Sequence, residues 1–332
     1  MKFKFNNIRF LLSALAIIIV CFIACSSDDS TTETETSTNE GTVVNVDASK
    51  FLTNTSAVTI TTVPCTLSDG TVTECYQIVT SSTPSDHEMG PWCPDNISDD
   101  ASAGGIWLEN GQVYDVDGAF IENMASFYND TTWHMYDANG AIYTTETLED
   151  CANAANPEVG EEYENFCVEC LPSYVADLTQ TYLLPITPVK QSTATNFSFG
   201  GPPGQSNGPT QRGIAFNGVV FDAPAPTDAI LGAYTLAPFD DAGGHINLNA
   251  GYHYHATTGV STQIAQEDSH APMIGYAMDG HGFYAQLDAD GNEPTDLDDC
   301  RGHYDETRGY HYHADAPGSN NFLDCLYGAY AE

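Results

Sequence analysis

The hexapeptide Gly-Tyr-His-Tyr-His-Ala occurs twice in this chain, at residues 251–256 and 309–314. Each copy follows a Gly-His pair after five intervening residues, and equivalent positions of the two copies are 58 residues apart. Each half of the repeat therefore offers three imidazoles. The six histidines are His245, His253, His255, His303, His311 and His313. Imidazole is a general-purpose ligand for transition metals, so a duplicated set of three points to metal chemistry.

The alternation of tyrosine and histidine within each copy is typical of a β-strand. Residues i and i+2 of a strand project to one face. His253 and His255 are therefore predicted to lie together, with Tyr252 and Tyr254 on the opposite face. In the second copy the corresponding tyrosines are Tyr310 and Tyr312. The histidine of the Gly-His pair can add a third imidazole from an adjacent strand, and three imidazoles on a rigid sheet suit copper or zinc.

Residues between the two copies are further candidates for the site. His270 supplies an extra imidazole, and Asp279 and Asp299 supply carboxylates that could orient an imidazole N–H. The tyrosines are possible phenolate ligands, with aromatic packing as the alternative. Whether the two triplets share one ion or hold separate ions stays open, because spacing along the chain does not fix distance in space.

An acidic segment between the copies has some features of a calcium loop. Asp288, Asp290 and Asn292 alternate there, but Gly291 and Glu293 do not fit the pattern of an EF-hand loop. Calcium at these three residues is therefore one interpretation, and a solvated acidic turn is the other.

The cysteine count indicates an oxidising compartment. Eight cysteines follow Cys25, an even number that favours disulfides. Cys65 and Cys75 flank a turn, and Cys300 and Cys325 bracket the second hexapeptide, so Cys65–Cys75 and Cys300–Cys325 are the candidate pairs. The motif Cys167-Val-Glu-Cys170 could be a redox pair or half of a zinc knuckle, but structural disulfides are favoured.

The N-terminus has the pattern of an export signal. Basic residues precede an apolar run at 11–24 that ends Phe-Ile-Ala-Cys, which resembles a lipobox with Cys25 as the lipidated residue. Residues 1–24 are thus predicted to be a lipoprotein signal peptide, with an uncleaved membrane anchor as the alternative. Residues 25–42 read as a disordered Ser/Thr/Glu tether. Residues 26–29 resemble the acidic export tag of surface-exposed outer-membrane lipoproteins.

Composition excludes several functions. The chain has 46 acidic and 8 basic residues, and a formal net charge of −38. Such a surface repels nucleic acid, attracts cations and keeps the protein soluble. Neither a Walker motif nor a G-x-G-x-x-G motif is present, which argues against nucleotides, and G-x-S-x-G is also missing.

The pattern of the remaining chain predicts a mainly β protein with irregular Gly/Pro-rich loops and few short helices. Residues 43–180 read as an N-terminal β-rich region with cysteine and tryptophan, and residues 181–332 as a second domain. Residues 104–120 suggest strands separated by turns at Asn110-Gly111 and Asp117-Gly118. A short helix is predicted over 147–155. The duplicated motif also suggests a pseudo-twofold repeat in the C-terminal domain.

The segment 181–328 resembles the YHYH domain, a family of exported bacterial proteins named for this motif. The resemblance is carried by GIAFNGVVFD (213–222), GGHINLNAGYHYHA (243–256), HAPMIGYAMDG (270–280), LDDCRGHYDETRGYHYHA (297–314) and the closing Cys325. It implies a site at the two hexapeptides without implying a reaction, and it favours His270 over His281 as a ligand.

These observations predict an exported, membrane-anchored lipoprotein that binds copper or zinc through the six histidines. One alternative is an extracellular module that binds a ligand such as a polysaccharide without transition metal. The other is a metal-dependent extracellular hydrolase or oxidase, for which Asp279, Asp305 and Glu306 are candidate acids. Whether the protein is an enzyme stays open.

Overall fold

The computed structural model describes residues 41–53, 58–81, 83–156, 158–197 and 208–332. These residues belong to one compact unit that spans 41–332. The expected signal peptide, the lipidation candidate Cys25 and nearly all of the tether lie outside the described residues. Within them, no helix has the length and apolar character needed to cross a bilayer.

The described part of the chain is mainly β, as the sequence predicts. Its strands are β1 (Val58–Thr66), β2 (Val72–Ser81), β3 (Ile106–Glu109), β4 (Gln112–Asp115), β5 (Thr179–Pro185), β6 (Lys190–Asn196), β7 (Gly213–Ala215), β8 (Val220–Phe221), β9 (Gly244–Asn247), β10 (Gly251–Tyr254), β11 (Met273–Ala277), β12 (Gly282–Tyr284), β13 (Gly302–Asp305), β14 (Gly309–His313) and β15 (Cys325–Gly328). The α-helices described are α1 (Gly118–Phe127), α2 (Leu148–Ala154) and α3 (Thr227–Gly232). Short 3₁₀ turns occupy Ala48–Lys50, Ala101–Ala103, Glu161–Tyr163, Pro172–Tyr174 and Pro317–Ser319.

The largest sheet has eight strands in the order β13-β14-β12-β11-β7-β8-β10-β9. Its central strands β11 and β7 are antiparallel. In one half, β11 pairs antiparallel with β12, β12 parallel with β14, and β14 antiparallel with β13. In the other half, β7 pairs antiparallel with β8, β8 parallel with β10, and β10 antiparallel with β9. The two halves are therefore related by a pseudo-twofold axis, which confirms the repeat expected from the sequence. Strands β10 and β14, which carry the hexapeptides, lie one strand in from opposite edges.

Both faces of this sheet are covered. Ile214 and Phe216 pack on one side with Ile78 and Leu184, which belong to a three-stranded antiparallel sheet of order β1-β2-β5. Ala215 and neighbouring residues pack on the other side in the largest apolar cluster, together with aromatic residues of the N-terminal region. The boundary expected between 180 and 181 falls inside β5, which pairs along β2. The packing on both faces fixes the register, because a one-residue slip would move every side chain of a strand to the opposite face and into the wrong cluster.

Of the two turns predicted at Gly positions in the N-terminal region, one is confirmed and one is wrong. Asn110-Gly111 does connect the hairpin β3–β4. Asp117 instead caps α1, since its Oδ1 accepts a hydrogen bond from the Phe120 N–H at 2.7 Å. An Asp-Gly pair serves equally well as a turn or as a helix start, and the residues that follow decide between them. The helix predicted over 147–155 is present as α2, with a capping box between Thr147 and Asp150.

Four disulfides link the described cysteines. Cys65–Cys75 and Cys300–Cys325 are the two pairs that the sequence suggested. The other two are Cys93–Cys167 and Cys151–Cys170. Cys167 and Cys170 thus bond to separate partners and not to each other, so the Cys-x-x-Cys spacing marks neither a redox pair nor a zinc knuckle. These two bonds join the segment 167–170 to Cys93 and to helix α2.

Candidate metal centres

The structure gathers the repeat histidines into two clusters. The first cluster contains His245, His253 and His255, and the second cluster contains His270, His303, His311 and His313. Within each cluster, the side-chain nitrogens that can act as ligands lie within 4.8 Å of one another. Among the described residues, these two clusters are the groups of three or more potential ligands that lie close enough together to hold a metal ion.

Sheet register explains how each cluster forms. In the hairpin β9–β10, His245 lies directly opposite His253, and His303 lies opposite His311 in β13–β14. Side chains of directly opposed residues are neighbours on one face. His255 and His313 follow two residues later on that face. The five-residue spacer after each Gly-His pair thus sets the hairpin register that brings three imidazoles together.

The second cluster has four imidazoles whose Nε2 atoms converge. The Nε2 of His311 lies 2.9 Å from that of His303 and 3.0 Å from that of His270. The Nε2 atoms of His303 and His313 are 3.2 Å apart. A tetrahedral zinc ion with Zn–N bonds of about 2.0–2.1 Å would place its ligand nitrogens roughly 3.3 Å apart. The nitrogens are therefore spaced almost as such an ion requires.

Every Nδ1 atom of the second cluster faces an oxygen acceptor. His311 Nδ1–H donates to the Gly309 carbonyl at 2.9 Å, and His313 Nδ1–H donates to the Ala285 carbonyl at 2.9 Å. His270 bonds the Ala271 carbonyl at 3.0 Å, and His303 bonds Asp296 Oδ1 at 2.9 Å. A carbonyl or carboxylate oxygen only accepts, so these bonds place the proton on Nδ1 and leave Nε2 with a free lone pair. All four free lone pairs then point into the cluster.

Burial disfavours the protonated form of three of these imidazoles. It lowers the pKa of His311 to about 3 and that of His313 to about 2, with the neighbouring histidines contributing further. The pKa of the less buried His270 is also lowered, first by burial. Four neutral lone pairs about 3 Å apart repel one another, and a metal cation relieves that repulsion.

The first cluster has three imidazoles. The Nε2 atoms of His245 and His255 are 3.2 Å apart, and His253 Nδ1–H donates to the Gly251 carbonyl at 2.9 Å. Burial lowers the pKa of His245 and His255 well below the usual value, and nearby His253 adds to the effect. The rings of His245 and His255 pack against Phe239, at 5.0 and 5.2 Å between centroids. All three histidines also line a cavity of about 290 Å³.

The tyrosines of the repeat lie on the opposite face, in the packing role rather than as ligands. Tyr252 donates to Asp240 at 2.7 Å, and Tyr310 donates to Asp298 at 2.8 Å. The hydroxyl of Tyr254 accepts from Asn217 Nδ2 at 2.8 Å. Tyr312 donates to Asp279 Oδ2 at 2.6 Å. The expected role of Asp279 in orienting a metal-binding imidazole is therefore wrong, because it contacts Tyr312 and His281 on the far side of the sheet.

Asp240 and Asp298 support the site from the opposite face, and the hexapeptide pattern does not include them. Oδ1 of Asp240 accepts from the Gly244 N–H at 3.0 Å, and Oδ1 of Asp298 accepts from the Gly302 N–H at 3.0 Å. Each carboxylate thus joins the Gly-His strand to a repeat tyrosine and holds the hairpin in register. The two aspartates are also 58 residues apart, so extending the repeat upstream would have found them. Asp296, which orients His303, has no equivalent in the first half, so the repeat does not point to it.

The glycine of each Gly-His pair leaves room for a repeat tyrosine that lies diagonally across the hairpin. A Cβ on Gly302 would lie 2.1 Å from the Tyr310 hydroxyl oxygen, and one on Gly244 would lie 2.6 Å from that of Tyr252. Any side chain there would displace the tyrosine and break its bond to aspartate. The glycine, tyrosine and aspartate therefore form a single unit on the face opposite the histidines.

The two clusters are separate sites. Strands β12, β11, β7 and β8 lie between β14 and β10. At about 4.8 Å per strand, the two hexapeptides are roughly 24 Å apart. One ion cannot bridge that distance, which answers the question of convergence that the sequence left open.

The other candidate residues lie apart from both clusters. Asp288 Oδ1 accepts from the backbone N–H groups of Asp290 and Asn292, at 2.9 and 2.8 Å, and so closes a turn. Asp299 is exposed. Asp305 pairs with Arg308 at 2.6 Å, and although burial opposes it, hydrogen bonds from Arg308 lower its pKa to about 2. That carboxylate is committed to a structural ion pair and is a poor candidate for the acid of a hydrolase.

Comparison with known protein families supports the resemblance to the YHYH family. Residues 181–296 match the family model described as YHYH protein. The matched range includes the first cluster and His270 and ends before the second hexapeptide. No curated protein and no solved structure matches the chain. On the evidence of this match and the two intact hexapeptides, the chain contains a YHYH domain.

Proposed function

We propose that this protein is an exported lipoprotein whose YHYH domain binds two transition-metal ions, copper or zinc, one in each histidine cluster. The observation that carries the proposal is the second cluster. Its four Nδ1 atoms face acceptors while its four Nε2 atoms converge within 4.8 Å. A purely structural group of histidines would have no need to bring four unprotonated nitrogens together.

The donor set favours copper or zinc over harder cations. Both clusters offer only imidazole nitrogen, whereas calcium and magnesium take oxygen ligands. Imidazole ligands are uncharged, so they do not neutralise the positive charge of a bound ion. The acidic chain, with its net charge of −38, attracts cations and so favours binding. The proposal of export rests on the N-terminal sequence and is supported by the four disulfides.

Metal analysis tests the proposal directly. The full chain, purified in detergent, is incubated separately with zinc and with copper, dialysed, and analysed by mass spectrometry for bound metal. Two ions per chain are expected, one for each cluster. A chain that stays folded by circular dichroism and binds neither metal would contradict the proposal and favour a metal-free binding module.

Asp296→Asn is expected to weaken metal binding at the second cluster by about tenfold. Outer carboxylates that orient a ligating histidine typically contribute 10–100-fold to metal affinity. The Asp296 side chain is 70% exposed, so the lower end of that range is expected. Chelator competition measures the affinity of the second cluster.

The matched control is Asp299→Asn, which removes an exposed carboxylate three residues away that lies outside both clusters. Equal affinities for the two variants would show that the bond between Asp296 and His303 does not help to hold the ion.

A further inference from the structure

We propose that the two centres have different roles: the first cluster is an open metal centre that binds an external small molecule in the adjoining cavity, and the second cluster is a closed structural centre. The molecule would carry one anionic metal-binding head on an uncharged apolar body. This inference rests on the proposed function, because it requires an ion in the first cluster.

The number of ligands distinguishes the two clusters. Four imidazoles satisfy a tetrahedral ion completely, whereas three leave one position free. Closed four-ligand zinc sites are structural, and sites with three protein ligands bind water or substrate in the fourth position. Each of the two halves related by the pseudo-twofold axis contributes three histidines. Only the second cluster has a fourth, His270. The fourth position of the first cluster is therefore free within the described residues.

A cavity lies where the external ligand would bind. It has a volume of about 290 Å³ and includes all three histidines of the first cluster in its wall. That volume is close to the lower end of known small-molecule pockets, about 300 Å³. Much of the remaining wall is apolar. Representative residues are Trp92, Val168, Pro224, Ile230, Pro238 and Ile246.

The cavity is built from distant parts of the chain. Trp92 comes from the N-terminal region, and its Nε1–H donates to the Gly244 carbonyl at 3.0 Å, next to His245. Val168 and Glu169 follow Cys167, which the disulfide to Cys93 holds beside Trp92. The N-terminal region thus closes one side of the first metal centre, and this gives it a role in ligand binding.

Charges in the wall narrow the class of ligand. A divalent ion held by three neutral imidazoles keeps a net positive charge, which favours an anionic head group such as a carboxylate or hydroxamate. Glu169 and Asp222 also line the cavity and would oppose a second negative charge. Glu169 is partly buried and accepts from the Cys93 N–H at 3.3 Å. The body of the ligand is therefore expected to be uncharged.

Cobalt substitution and benzohydroxamate test the inference. Full-length protein loaded with cobalt is titrated with benzohydroxamate, and the visible cobalt spectrum is recorded. The spectrum is expected to change in the native chain and in the double variant His303→Ala/His311→Ala. In the repeat-related double variant His245→Ala/His253→Ala the change is expected to disappear. Acetohydroxamate, which lacks the apolar ring, is expected to bind at least tenfold more weakly.

A cavity-filling variant tests the location. Ala229→Trp on α3 puts a large side chain into the cavity wall and is expected to weaken benzohydroxamate binding at least tenfold. The control is Gly232→Trp on the same helix, where an added Cβ meets nothing within 4 Å and the residue lies outside the cavity wall. Equal binding by the two variants would contradict the location.

The outcomes separate this inference from the proposed function. Failure of the folded chain to bind zinc, copper or cobalt would contradict the proposed function. If both clusters hold metal and benzohydroxamate leaves the cobalt spectrum unchanged, the open centre is wrong and the metal-binding function stands. If the spectral change disappears in the variant His303→Ala/His311→Ala and persists in His245→Ala/His253→Ala, the second cluster is the open centre and the assignment of roles is overturned.

Discussion

Replacing His245 with Ala should release one of the two metal ions, whereas the same replacement at its repeat-related partner His303 should leave both bound. The first cluster falls from three ligands to two, fewer than protein zinc sites use. The second cluster falls from four to three and becomes a site of the open type. Each change removes the same member of a repeated triplet, so the difference reports chiefly the fourth imidazole, His270, which the second cluster keeps.

Metal content and chelator competition check this result. His245→Ala is expected to bind one ion, and His303→Ala two ions, of which one has reduced affinity. In His270→Ala/His303→Ala the second ion should also be lost. The clusters are roughly 24 Å apart, so effects at one should not reach the other. Loss of one ion from both single variants would show that His270 is not a ligand.

Metal-free protein is expected to lose stability steeply as the pH falls from 7 to 5.5. Burial lowers the pKa of His311 to about 3 and that of His313 to about 2, whereas histidine in an unfolded chain titrates near 6.5. Below pH 6.5 the unfolded state therefore takes up protons that the native state does not. The stability that these residues confer is present above pH 6.5 and is lost progressively towards pH 3.

The size of the effect is about 1.4 kcal/mol per histidine for each pH unit below 6.5. Burial also lowers the pKa values of His245, His255 and His270, so five groups act in the same direction. At pH 5.5, His311 and His313 together account for roughly 3 kcal/mol, and the other three histidines add to it, so the loss is a large part of the stability of a typical domain.

Urea unfolding at pH 7, 6 and 5.5, in the presence of a chelator, measures this loss. The variant His311→Gln/His313→Gln is the control, since it removes two of the titrating groups and should flatten the dependence. Most carboxylates titrate below this window and contribute little within it. A free energy of unfolding that stays constant from pH 7 to 5.5 would contradict buried neutral histidines.

Much of each cluster could be predicted from the sequence, because it depends on short-range geometry. The period of a strand separates His253 and His255 from Tyr252 and Tyr254 whatever the rest of the fold is. The short spacer after Gly-His makes an antiparallel hairpin, and the hairpin places His245 opposite His253. The disulfide Cys65–Cys75 is similarly local, since the two residues lie on adjacent strands joined by a tight turn.

The sequence by itself determined the chemistry: two triplets of imidazole, the face on which each lies and the family that the repeat resembles. Only the tertiary structure decided the number of ligands, the distance between the sites and what each site faces. His270 joins His311 because β12 pairs in parallel with β14 and β11 pairs with β12, which are contacts between segments far apart in the chain. Trp92 and Glu169 reach the cavity beside the first cluster through the disulfide Cys93–Cys167. A repeat in sequence imposes the same local geometry on both halves, but each half packs against different neighbours, and those neighbours give one cluster a fourth imidazole and the other a cavity.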